Sequence, residues 1–355
     1  MRRPLSFCAR NLSNVFLTLL LAASLALVAR VDAASGDAPS SAKAITWQVG
    51  FRPGVAYDLY SRLIAKYWVR YLRGHPAIIV ENRVESATRT VERIQGEKPD
   101  GATIAMLIPA LYLTQLADRE KAKFDLAKLT WIGSPSKSHY LLYMRSDAPY
   151  KSMADIRSAS TPPLCGAGEI TTTGYYMPKL FEEAIGTKFN IKAGYREGPD
   201  VDTAVQKGEL QCRSLTVDGF YSHEPYWTWM KTGFVRILLQ TGIKRDARLP
   251  NVPTLPELMD EYKTSDANRR FAKLILASSD FGRPVVAPPG LPPAEAKMLG
   301  DTFNKVMKDP AFHAEAKREH LDINPTTGED LDHLAKEVVV QPPEVVARMK
   351  KFLGM

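Results

Sequence analysis

The chain has 355 residues, 45% of them hydrophobic and 24% charged, with three cysteines and a formal charge of +8. That length exceeds what one hydrophobic core commonly serves, so two lobes are expected. The mild basic excess reads as a solvated mixed-charge surface or, more weakly, as suited to an anionic ligand, and with no dense Lys/Arg run interleaved with aromatics it gives no sign of a nucleic-acid partner.

In chain order, the first segment reads as an address. Arg2, Arg3 and Arg10 precede an apolar run at 15–28, and Val31-Asp32-Ala33 supplies small residues before a cut. This predicts a signal peptide over 1–33, cleaved after Ala33; the alternative is an uncleaved N-terminal anchor. Losing Arg2, Arg3, Arg10, Arg30 and Asp32 leaves +5. No second apolar run of membrane-spanning length follows, so the mature chain is expected in the periplasm without direct membrane insertion.

Strand and helix signals then alternate, the pattern of an α/β fold with mostly parallel sheets. A strand at 45–50 leads through Pro53-Gly54 into a helix whose apolar positions (Leu59, Leu63, Ile64, Tyr67, Trp68) keep helical spacing up to Gly74. Strands are expected at 77–81, 103–108, 129–133 and 140–145, with a helix at 88–95 and a turn at Pro99-Asp100-Gly101. A second set comprises strands at 164–165, 189–193, 210–215 and 235–240 and helices at 173–185 and 200–207. From 255 onward helices dominate, at 293–308, 310–320, 328–340 and 342–353, interrupted by a strand at 281–287. The expected organisation is a discontinuous first lobe, 44–142 plus 236–355, and an inserted second lobe, 143–235, with the strand at 235–240 returning to the first. Two crossings between lobes permit hinge closure over a ligand.

Two strand-loop-helix corners carry the chemistry. Helices that begin on glycine loops after buried strands point unpaired N–H groups at one spot and favour an anion there. The first corner offers Phe51, Arg52, Gly54, Val55, Ala56 and Asp58; Asp58 is either a helix cap or a ligand contact, and Arg52 either grips a carboxylate or is solvated. The second offers Gly166, Gly168, Ile170, Thr171 and Thr172, with glycines for close backbone approach and hydroxyls beside a helix start. The aromatic run Tyr226-Trp227-Thr228-Trp229 either lines the cleft or packs in the core. After maturation Cys165 and Cys212 remain, as a disulfide or as two buried thiols. No cofactor or metal is expected, because the histidines (75, 139, 223, 313, 320, 333) form no His-Glu-x-x-His pattern. A nucleophilic Cys165 would make the chain a periplasmic enzyme; without it the chain is a non-enzymatic binding protein, feeding either a transporter or a sensor.

A series of short motifs, in order, covers nearly the whole mature chain: Pro53-Gly54 with Asp58 and Arg62, Val80-Glu81-Asn82-Arg83, Pro99-Asp100-Gly101, Gly166 to Gly168, Tyr195, Gly208, Leu249-Pro250-Asn251-Val252-Pro253-Thr254, and Ala287-Pro288-Pro289-Gly290-Leu291-Pro292. The series resembles the periplasmic substrate-binding receptors of tripartite tricarboxylate transporters, the Bug-type receptors. The resemblance implies a type II periplasmic-binding-protein fold, capture of a small carboxylate between two lobes, and membrane transporter subunits as partners. It places Gly54 and Asp58 in the first corner, Gly166 and Gly168 in the second, and Tyr195 on the cleft side of the next strand. The chain departs from that pattern where Val55 and Ala56 follow Gly54, where 84–89 reads Val-Glu-Ser-Ala-Thr-Arg, and where Glu169 adds a negative charge beside the second corner.

Overall fold

The structure is a computed structural model that describes residues 43–120 and 122–355; the signal-peptide reading over 1–33 lies outside the described residues. Two mixed sheets organise it, each flanked by helices. The first has six strands in the order β11-β4-β10-β3-β1-β2: β1 (Ile45–Val49), β2 (Ile78–Asn82), β3 (Thr103–Met106), β4 (Thr130–Ser134), β10 (Val285–Ala287) and β11 (Thr326–Thr327). β1 pairs parallel with both β2 and β3, while β10 runs antiparallel between β3 and β4. The second sheet has the order β7-β6-β8-β5-β9, from β5 (Tyr140–Arg145), β6 (Leu164–Gly166), β7 (Asn190–Lys192), β8 (Cys212–Thr216) and β9 (Val235–Gln240). β5 is its antiparallel member.

The chain leaves the first sheet after Ser134 and enters the second at Tyr140, and it leaves the second after Gln240. β9, expected to return to the first lobe, is therefore an edge strand of the second sheet. The physical reason is β5: Tyr140–Met144 are all buried, so both edges of that strand need a partner, and β9 supplies one.

Helices that follow the strands place the site. α1 (Ala56–Trp68) follows β1, and α2 (Ala87–Gly96) follows β2, with Ser86 accepting the Arg89 N–H as its cap. α1 is anchored by Trp68, wedged edge-on between Trp47 and Phe303, whose indole donates to Thr302 Oγ1 at 2.9 Å. Short α3 (Leu111–Ala117) and α4 (Met153–Ser158) precede α5 (Thr173–Ile185), which follows β6. α6 (Gly198–Gln206), α7 (Val217–Ser222) and α8 (Tyr226–Thr232) complete the second sheet's surroundings. After α9 (Leu255–Glu261), α10 (Asp266–Phe281) runs on to Phe281. The strand expected at 281–287 is thus shortened to Val285–Ala287. The C-terminal helices α11 (Pro293–Val306), α12 (Pro310–Arg318), α13 (Gly328–Val338) and α14 (Pro343–Leu353) fall where the sequence places them, three of them opening on the proline that also fixes their first φ. Among the described residues no helix is long and apolar enough to cross a membrane.

Candidate functional site

The first corner is the loop 50–55 between β1 and α1. Gly54 takes φ +85°, a conformation that side chains resist, and its N–H donates to Asp58 Oδ2 at 2.9 Å. The other Asp58 oxygen accepts from Arg62 Nε at 2.9 Å and Asn82 Nδ2 at 2.8 Å, and Asn82 also donates to the Phe51 carbonyl. Burial works to raise the Asp58 pKa, but Arg62, the Gly54 N–H and Asn82 hold it below its ordinary 3.8. Asp58 is therefore an ionised clamp that shapes the loop. Gly54 lies in an outer groove with Leu59 and Arg62.

The second corner is 166–172, between β6 and α5. Gly166 is packing: a Cβ there would sit 2.4 Å from Leu210 and Val201. Gly174 lets α5 rest on it, since its own Cβ would meet the Gly166 carbonyl at 2.7 Å. Thr172 Oγ1 donates to the Glu169 carbonyl at 2.7 Å and Thr173 Oγ1 to the Ser214 carbonyl at 3.0 Å. Thr171 is 2% exposed and its Oγ1 has no hydrogen-bond partner.

Both corners open on one cavity of about 160 Å³, lined by Phe51, Val55, Ala56 and Tyr57 from the first and by Gly168 and Thr171 to Gly174 from the second. The first turns of α1 and α5 thus face the same space, each with N–H groups that have no intrahelical acceptor. Three arginines and one carboxylate, Glu197, reach its wall. Arg213 donates from Nη1 to Asp202 Oδ2 at 2.6 Å, to Tyr226 Oη and to the Gly198 carbonyl. Arg283 donates to Asp218 Oδ2 from Nη2 at 2.6 Å and from Nε at 3.1 Å, and its guanidinium lies 4.7 Å over the Tyr57 ring. Burial works against the charge of both arginines, and their aspartates more than offset it, so both stay cationic. The third, Arg196, is exposed. Burial lowers the pKa of His223, also in the wall, so it is neutral near pH 7.

Of the residues the sequence singled out, Phe51, Val55, Ala56, Gly168, Thr171 and Thr172 meet at this cavity. Arg52 sits beside it, bound through its backbone N–H at 2.8 Å and its guanidinium to Glu197, and through Nη2 at 2.9 Å to Asp200. Gly54, Asp58, Gly166, Ile170 and Tyr195 are not in its wall; Tyr195 instead packs against Val201 and its neighbours, with Lys192 over its ring. In the aromatic run, Tyr226 lines the cavity, Trp229 is core and Trp227 is 39% exposed. Cys165 and Cys212 are joined as a disulfide with both residues fully buried, so Cys165 is no nucleophile. Sequence reasoning missed Arg213, Arg283, Glu197 and His223. Glu197 alone had a signal, as the residue before Gly-Pro-Asp at a helix start. Among the described residues no cluster of His, Cys, Asp or Glu could hold a metal ion.

Gly198 sets where Arg213 rests, because a Cβ at 198 would lie 2.2 Å from Arg213 Nη2. Gly198→Ala is expected to cost about 1–3 kcal/mol by overpacking, read as a lower urea midpoint; an unchanged midpoint would show that the guanidinium moves aside freely.

Residues 70–350 match the model of the tripartite tricarboxylate transporter family receptor. A UPF0065 protein in the gbd 5′ region of Cupriavidus necator is 24% identical over 311 residues, covering 85% of this chain and 86% of that protein. Among solved structures, R. palustris Rpa4515 with adipate superposes with a TM-score of 0.67 at 18% identity, over 88% of this chain and 97% of that one. The periplasmic binding protein BugD superposes at 0.66 and 18% identity, over 87% and 97%. The type II two-lobe fold and the family match give one conclusion: this chain belongs to the tripartite tricarboxylate transporter family receptors, solute-binding proteins of the periplasm, as a divergent member.

Proposed function

We propose that this receptor captures a small organic carboxylate in the cavity between its two corners and delivers it to membrane transporter subunits. In this reading the signal peptide is removed near Ala33, the two lobes, with β5 and β9 both in the second, close over the ligand, and the ligand is released unchanged. The observation that carries it is the convergence of two helix N-termini on one cavity that also holds the unpartnered hydroxyl of Thr171. The N–H dipoles and that hydroxyl are preorganised donors for a carboxylate, and closure removes the competing water. The dicarboxylate in the Rpa4515 structure is a ligand of the same chemical class, in a relative of the same fold.

Calorimetry and thermal shift with a panel of mono-, di- and tricarboxylates test the reading. At least one member should bind with a rise in melting temperature, and Thr171→Val should weaken it about tenfold, the worth of one hydrogen bond. A panel giving neither heat nor shift would remove the proposal.

A further inference from the structure

Resting on that reading, we infer that the receptor selects carboxylates that carry a single negative charge on an apolar body, and that Glu197 is the residue that excludes a second carboxylate. Two of the three arginines in the cavity wall are already matched, and the third, Arg196, is exposed to solvent, where a single ion pair is worth little. Arg213 is held by Asp202 and Arg283 by Asp218, each at 2.6 Å with both partners' side chains largely or wholly out of water. Glu197, 7% exposed, is the lone carboxylate among the wall residues, and it shares its one arginine, Arg52, with Asp200, so this group keeps a net negative charge at the wall.

Besides that exposed arginine, the uncompensated donors are the pair of helix N-termini with the Thr171 hydroxyl, which together suit one carboxylate. A second carboxylate on the same ligand would have to approach an arginine whose charge an aspartate already balances, the exposed Arg196, whose pull water screens, or the buried Glu197 carboxylate, which repels it. Glu197 holds its position because the Arg52 backbone N–H at 2.8 Å and the Arg52 guanidinium both donate to it, and because its own N–H is tied to Asp200 at 3.1 Å. The protein's own carboxylate thus uses the Arg52 donors that the first corner would otherwise offer a ligand.

A large share of the remaining wall is apolar. Phe51 and Tyr57 stack on each other in the wall with ring centroids 4.4 Å apart, and Ile108, Pro109, Val201 and Leu215 add apolar lining. Such a surface rewards a hydrocarbon body and leaves a distal charge without hydration.

Hexanoate and adipate share a six-carbon chain and differ by one carboxylate, so their ratio isolates the inference. In isothermal titration of the mature protein, hexanoate and benzoate are each expected to bind at least tenfold more tightly than adipate. Glu197→Gln keeps the shape and removes the charge; it should shift the hexanoate/adipate ratio at least fivefold toward adipate. Asp301→Asn removes an exposed carboxylate that is not in the cavity wall and should not shift it. Phe51→Leu should weaken benzoate more than hexanoate and serves as a second readout should Glu197→Gln fail to fold. Adipate binding as tightly as hexanoate, or a ratio that Glu197→Gln does not move, would overturn the inference while leaving the receptor reading intact. No binding by any of the three, together with a silent wider panel, would overturn both.

Discussion

Arg283→Leu is expected to lower stability by about 3–5 kcal/mol at neutral pH, the size seen when one partner of a buried ion pair is removed. Arg283 and Asp218 have side chains 2% and 3% exposed. Their pairing ties the segment entering β10 in the first sheet to the start of α7 beside the second. Ser138, in the stretch that carries the chain between the sheets, donates to the same aspartate, as does Tyr60 Oη at 3.2 Å from α1. Without Arg283 the Asp218 charge would stay buried among neutral donors. Removing both charges, as Arg283→Leu with Asp218→Leu, should recover a large part of the loss, because the desolvation cost disappears with the pair.

The pH dependence separates the two variants. Burial works to raise the Asp218 pKa, but Arg283, Ser138 and Thr216 hold it below the ordinary 3.8. A depressed carboxylate contributes stability that is fully present above 3.8 and is lost as pH falls through the lower folded value. In Arg283→Leu the sign reverses, since burial without the guanidinium raises the pKa. The deficit of the single variant should therefore shrink as the pH is lowered through the carboxylate range, whereas the double variant should converge less, only by what wild type itself loses below 3.8. Urea unfolding across that range measures both; a deficit constant with pH would mean that water reaches Asp218 in the variant.

The parts of this molecule that sequence patterns disclosed are those with local causes. The α5 helix over 173–185 and its glycine stop at Gly186, with φ +69°, match the expectation because apolar spacing and a C-terminal glycine act within a few turns. Helices α3, α7 and α8 span six or seven residues, too short for a period to show. The charged wall was invisible for a different reason. Arg52 meets Glu197 across 145 positions of sequence, and Arg283 meets Asp218 across 65. Nothing in the composition around either arginine announces its partner, so Arg52 reads as either a carboxylate grip or a solvated side chain and Arg283 carries no signal at all. The corners themselves were legible, but their division of labour was not. Gly54 and Asp58 belong to the loop's own hydrogen bonding, and the residues beside them, Val55 to Tyr57, face the cavity. A glycine-proline turn marks where a corner is; which amides it leaves for a ligand depends on what the other lobe brings against it.

The Cys165–Cys212 bridge is the other place where a single change is expected to act strongly. The two residues are direct partners on the neighbouring parallel strands β6 and β8, with Cα atoms 4.5 Å apart, and they close a loop with a sequence separation of 47. In the chain-entropy account a loop of that length gives roughly 4 kcal/mol at most, by restricting the unfolded chain. The effect reaches the site because β6 runs straight into Ala167, Gly168 and Thr171, and short β6 pairs with β8 only at this position. Cys165→Ala with Cys212→Ala should therefore lower the denaturation midpoint of the oxidised protein, and the same loss should appear in wild type under reductant. Cys212→Ser should cost more than the double alanine variant, because it leaves a hydroxyl in a fully buried apolar place and a free thiol opposite. Neither sulfur lines the cavity, so the folded variants should keep the ligand preference of wild type with a somewhat faster release. Equal midpoints for oxidised wild type and the double alanine variant would show that α5, seated on Gly166 through Gly174, holds the second corner without the bridge.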